Sequence, residues 1–228
     1  MIAENIANLL LEEFYDYGCL MLYVPPSIGD IMLEWSQLNI PDKVLYTEDD
    51  DDSYGRETEA HVTVKYGFVS TYLPEKVYSI VHTTSPFPVT IESVSLFEND
   101  KYDVVKCGVQ SEGLMTLNRR ISESVKTEDT YPEYKPHMTL AYVKKGTCSH
   151  LVGKTLQKDK LEFMAYGMRW AGPGKVGERD EEMLLFSKIK QHTDESEKEP
   201  FGDSAFPTCA DELTKFFRRR KLAKQRNL

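Results

Sequence analysis

A chain of 228 residues, 40% hydrophobic and 29% charged, can bury a sizeable core as one large domain or two lobes. No apolar run is long enough to cross a bilayer, so no membrane partner is expected. The net charge of −9 disfavours broad adsorption to nucleic acid but is compatible with a small nucleotide in a locally basic cleft. The four cysteines, Cys19, Cys107, Cys148 and Cys209, lie far apart with no CxxC or Cys/His cluster. Neither a zinc site nor a disulfide framework is implied. Residues 1–16 include Glu4, Glu12 and Glu13 and no early Lys or Arg, which argues against a secretory signal and for a cytoplasmic setting.

In chain order, Ile6, Leu9, Leu10 and Phe14 predict an N-terminal amphipathic helix over 2–15, within an N-terminal unit 1–17. The apolar run 19–24, stopped by Pro25 and Pro26, reads as a central strand. Ser27 is positioned to cap a helix with Ile28, Ile31, Met32, Trp35 and Leu38 on one stripe, closed by Pro41. A short strand is expected at 44–46, then a polar, acidic loop over 47–59. A strand follows at 60–69. Pro74 suits a first helical turn, and Val77, Ile80 and Val81 give that helix its stripe. Strands are predicted at 89–97 and 102–110, joined by a turn, with the apolar phase shifting between Ile91 and Val94 as in a bulge. Ser111 opens a helix with Leu114, Leu117 and Ile121 facing inward. After a polar loop, 126–136, comes another strand. Residues 160–170 and 183–190 are expected to form an antiparallel pair. From 191 the chain turns acidic and polar, a linker to 207. Residues 208–228 read as a basic helix with Thr208 and Asp211 at its start and Leu213, Phe216 and Phe217 on one face.

Two of these strands read alike: His61-Val-Thr-Val-Lys-Tyr66 and His137-Met-Thr-Leu-Ala-Tyr142. Residues two apart on a strand share a face, so His61, Thr63 and Lys65 lie opposite Val62, Val64 and Tyr66. Likewise His137, Thr139 and Ala141 lie opposite Met138, Leu140 and Tyr142. Each strand holds an imidazole and a hydroxyl on its polar face. His82-Thr-Thr84 also spells His-x-Thr, but at the end of a predicted helix, and is taken as an accidental match. The acidic block at 48–52 lacks the ligand spacing of a calcium loop and reads as solvated.

Paired His-x-Thr strands in this strand–helix order resemble the two-histidine (2H) phosphoesterase superfamily over about residues 18–190. That group includes 2′–5′ RNA ligase-like proteins, cyclic phosphodiesterases and bacteriophage enzymes that degrade cyclic-nucleotide immune signals. The resemblance implies an α+β bilobal fold: two antiparallel-sheet lobes with flanking helices around a central cleft. It also implies catalytic histidines at His61 and His137 and phosphate-holding hydroxyls at Thr63 and Thr139.

Cleaving a phosphodiester requires a proton taken from the nucleophile and one given to the leaving oxygen. Two imidazoles, with an ordinary pKa of about 6.5, can do both near neutrality, so neither metal nor cofactor is called for. Lys65 faces the cleft by alternation and is a candidate phosphate contact. Tyr134, Trp170 and Tyr142 are candidate substrate contacts, although Tyr142 falls on the packing face. Tyr54 and Tyr131 are further stacking candidates. The expected partner is a small nucleotide or short RNA. A non-catalytic binder using the same cleft is the alternative, and the basic tail is a candidate contact for protein or nucleic acid.

Overall fold

The computed structural model describes residues 14–15, 17–48, 54–128, 133–175 and 180–184. In chain order its strands and helices are β1 (Phe14–Tyr15), β2 (Gly18–Tyr23), α1 (Pro26–Asn39), β3 (His61–Phe68), α2 (Glu75–His82), β4 (Phe87–Glu98), β5 (Tyr102–Gln110), α3 (Glu112–Ser124), β6 (His137–Lys144), β7 (Leu161–Ala165), β8 (Gly167–Ala171), β9 (Gly174–Lys175) and β10 (Asp180–Leu184). Two four-stranded antiparallel sheets result, ordered β10-β8-β2-β3 and β6-β5-β4-β7; β1 and β9 pair separately. This is the expected α+β arrangement. Both His-x-Thr strands, β3 and β6, are edge strands, and the two edges lie against each other.

The α3 helix forms as its sequence demands. Ser111 caps it by accepting a hydrogen bond from the Leu114 amide, and Leu114, Leu117 and Ile121 are buried at helical spacing. The α1 helix begins differently from expectation. Pro26 takes the first helical position, where its missing N–H costs nothing, and Ser27 makes no cap. Its buried stripe is Ile28, Met32 and Ser36, while Leu38 is 78% exposed. The bulge between Ile91 and Val94 is present as a register shift against β5.

Three elements depart from the sequence reading. Phe14 and Tyr15, the end of the predicted N-terminal helix, are strand and pair with Lys175 and Gly174; the rest of that helix lies outside the described residues. In place of a strand at 44–46 there is a 3₁₀ turn at Asp42–Val44, followed by a single bridge from Leu45 to Val143. The run 160–170 is two strands divided at Tyr166. β7 extends one sheet beside β4 and β8 extends the other beside β2, so the chain steps between sheets there. β8's partner is Asp180–Leu184, ahead of the predicted 183–190. The linker 191–207 and basic helix 208–228 lie outside the described residues. Among the described residues no helix is long and apolar enough to cross a membrane.

The helices cross over between the sheets. α1, which connects β2 to β3, packs behind β6; α3, which connects β5 to β6, packs behind β3. Leu20, Leu22, Met32, Val62, Val64, Leu114, Leu117, Ile121, Met138 and Leu140 thus join one core under both edge strands.

Candidate active site

Each motif histidine opens its strand and is held in the same way. His61 Nδ1 lies 3.0 Å from the Glu59 carbonyl oxygen, and His137 Nδ1 lies 2.8 Å from that of Lys135, each two residues back. A carbonyl oxygen only accepts, so Nδ1 donates in both rings. That leaves Nε2 of each imidazole for chemistry. The strands that carry the two rings lie against each other. Burial, first, pushes the His137 pKa below its ordinary value; the positive charges of Lys106 and His61 add to that, and the Lys135 carbonyl opposes it. The neutral form of His137 is thereby favoured.

Immediately after each threonine the strand bulges. Thr63 pairs with Met21 but Lys65 pairs with Leu20, leaving Val64 extra; Thr139 pairs with Lys106 but Ala141 pairs with Val105, leaving Leu140 extra. In each case the helix behind donates to the extra residue's carbonyl, and that of Leu140 also accepts the Glu57 amide at 3.1 Å. Asn118 of α3 donates to Val64 O at 2.7 Å, and Ser36 of α1 donates to Leu140 O at 3.2 Å. The bulges reverse the alternation beyond them. Lys65, opposite the fully buried Leu20, is only 6% exposed, and its ammonium donates to Ser122 of α3 at 2.9 Å. It does not share the face of His61 and Thr63, contrary to the period-2 reading. Tyr66 and Tyr142 turn the other way, onto the His-x-Thr face. Tyr142, opposite Val104, meets the rings of Tyr54 and Tyr102 edge-on at 5.4 and 5.6 Å. Tyr46 completes this aromatic group.

The other candidates divide. Tyr134 reaches from the approach to β6 across to the first motif, where its hydroxyl donates to Thr63 O at 2.8 Å. Its phenol pKa is raised by burial. It therefore ties the two motifs together and holds the backbone of Thr63. Trp170 is not at the site. At 1% exposure it packs edge-on to Phe68 and against Gly18 on the core side of β8. Tyr131 lies outside the described residues. His82 is the last residue of α2, its ring tilted against that of Tyr78, and on no strand.

Several site residues went unnoticed in the sequence. Arg169 is two strands from Thr63 on the same face, through Met21, and its guanidinium pairs with the Glu59 carboxylate at 2.6 Å. Glu59 thus holds Arg169 by its side chain and His61 by its carbonyl. Cys19 Sγ stands 3.9 Å from Thr63 Oγ1, and burial raises its thiol pKa to about 11, so it is a neutral neighbour. On the second sheet Lys106 lies opposite Thr139. Phe97 stands edge-on to His137 at 4.9 Å, and Gly108 is opposite His137. A lone cation inside an apolar strand, as in Val104-Val105-Lys106-Cys107 or Met168-Arg169-Trp170, was the available signal. Among the described residues no three His, Cys, Asp or Glu side chains gather closely enough to hold a metal ion.

Two antiparallel sheets presenting paired His-x-Thr edge strands form the architecture of a 2H phosphoesterase. A sequence profile of the 2′–5′ RNA ligase superfamily matches residues 26–166, which include both motifs, and the chain belongs to that superfamily. Its fold is similar to TT0787 of Thermus thermophilus, at 16% identity over 74% of this chain and 97% of that one, with a TM-score of 0.48. It is also similar to E. coli LigT solved with phosphate (13% identity, 76% and 96% of the chains, TM-score 0.47). A third likeness is to Kluyveromyces marxianus Usb1 (14%, 75% and 99%, TM-score 0.45). No curated protein sequence gives a significant match.

Proposed function

We propose that this protein is a phosphodiesterase for RNA-type linkages in small nucleotides, with His61 and His137 as its proton-transfer groups. One observation carries the reading: two imidazoles, each fixed through Nδ1 to a carbonyl two residues back, open abutting edge strands. Membership of a superfamily named for RNA ligation supports an RNA-type linkage.

His137, whose burial favours the neutral imidazole, serves as the base, and His61 as the acid. Where a 2′-hydroxyl adjoins the scissile bond, Nε2 of His137 takes its proton. The oxygen attacks phosphorus, and the leaving oxygen departs with the proton of His61 as a 2′,3′-cyclic phosphate forms. Where the substrate is already cyclic, water replaces the hydroxyl and the ring opens. Thr63 and Thr139 donate to the non-bridging oxygens as their charge grows. Tyr142, Tyr102 and Tyr54 continue the His-x-Thr face with aromatic surface suited to a base. The substrate class spans cyclic oligonucleotide signals, 2′–5′ oligonucleotides and 2′,3′-cyclic phosphates.

The test is incubation with cyclic dinucleotides, cyclic trinucleotides, 2′–5′ oligoadenylate and 2′,3′-cyclic mononucleotides in excess chelator, with products identified by mass spectrometry. Turnover of at least one, abolished in His137→Ala, is expected. Binding without turnover across the panel would instead make the cleft a nucleotide-binding site.

A further inference from the structure

The second sheet buries a cation that the two-imidazole reaction does not use. Lys106 is 8% exposed, in the middle of β5, directly opposite Thr139 and on the same face as His137. Its ammonium has two partners, both neutral. It donates to Ser95 Oγ at 3.0 Å and stands 4.0 Å from the centre of the Phe97 ring. The same ring meets His137 edge-on. The Glu92 carboxylate, over Gly108, adds an attraction, although among the described residues Lys106 forms no ion pair.

A buried ammonium is costly unless an anion compensates it, and a hydroxyl with an aromatic face compensates only part. Ser95 uses one of its three N–H donors. Among the described residues no anion is hydrogen-bonded to the remainder, on the face of the sheet that also carries Thr139 and His137. A monoanionic phosphodiester set between the two motifs would supply the missing charge.

We propose that Lys106 is a further substrate-binding residue, whose ammonium takes a non-bridging oxygen of the phosphate group addressed by the two His-x-Thr motifs. The proposal rests on the phosphodiesterase reading for the chemical class of its ligand, an oxyanion of phosphorus. Phe97 fixes the ammonium from one side and the His137 ring from the other, so phosphate, cation and base are held in one arrangement. Arg169, on the other sheet, differs in that its guanidinium is paired with the Glu59 carboxylate.

The experiment titrates inorganic phosphate into the full chain and follows the ring protons of His61 and His137 by NMR, in wild type, Lys106→Met and Lys106→Arg. Lys106→Met removes the charge from a buried site while keeping the length of the side chain, and a thermal melt checks that each variant is folded. Weakening of phosphate binding by about tenfold or more is expected in Lys106→Met, with most of the affinity kept in Lys106→Arg. Should Lys106→Met fail to fold, Lys106→Gln takes its place with the same expectation. Unchanged affinity in the neutral variant, or no phosphate binding by the wild type, overturns the assignment. Turnover is scored separately. A wild type that binds phosphate through Lys106 yet cleaves no nucleotide ends the phosphodiesterase reading alone, and a neutral variant that binds normally ends the Lys106 assignment alone.

Discussion

His137 and His61 are alike in their anchoring and unlike in their surroundings. With Nδ1 committed to a carbonyl, each ring has one working nitrogen, and loss of either ring removes a whole proton-transfer step. His61→Ala and His137→Ala should each lower kcat by about 10² to 10⁴, the usual worth of a positioned acid or base, measured on whichever nucleotide is turned over. The depressed pKa of His137 also bears on stability. Between its folded value and about 6.5 the unfolded chain holds a proton that the folded chain does not, so stability falls as the pH drops through that window. Urea melts of wild type against His137→Gln, at pH 5 and pH 8, should show a smaller loss at acid pH in the variant. In ring-proton NMR the His137 midpoint should lie below about 6.5.

At the scale of elements, the two bulges decide which side chains reach the cleft. Their extra carbonyls accept from Asn118 and Ser36, each on a helix crossing from the other half of the chain. Asn118→Leu should cost about 1–3 kcal/mol in urea unfolding, the penalty of stranding a buried acceptor, and Ser36→Ala should cost less, because the Leu140 carbonyl keeps the Glu57 amide. Gly67, also on β3, sits at φ +90, and a Cβ there would come within 2.6 Å of the Glu128 backbone. Gly67→Ala should therefore destabilise by about 1–3 kcal/mol in the same measurement. Periodicity made the α3 stripe and the Ile91–Val94 irregularity legible, because both leave a visible break or beat in the apolar residues. It hid the bulges at Val64 and Leu140. Around Val64 apolar and polar residues keep alternating on paper, around Leu140 an apolar run carries no phase, and the polar side chain that meets each bulge comes from an element distant in sequence. Hence Lys65 was placed on the wrong face and Tyr142 on the packing side. Trp170 was misread for a related reason: nothing local says which face of β8 is covered.

For the molecule as a whole, the two His-x-Thr strands and their order along the chain were enough to anticipate two antiparallel sheets. The step of residues 161–171 from one sheet to the other was not, because a glycine-broken run reads as one strand when its partners are unknown. Lys106 and Arg169 were missed because a charge inside an apolar strand gains meaning only from what stands across the ladder. A cleft with these cations in an acidic chain predicts screening: KM for an anionic nucleotide should rise between about 50 and 500 mM salt, roughly as expected for charges about a Debye length apart or less, with kcat little changed.

The exchanged helices make the halves mutually dependent. A fragment ending ahead of β4 would keep the first histidine strand but lose the Asn118 prop behind it, and the complementary fragment would keep the second strand without Ser36. Neither piece produced alone should hold its motif in working shape. Mixed together, they have reason to find each other, since each carries the brace its counterpart lacks.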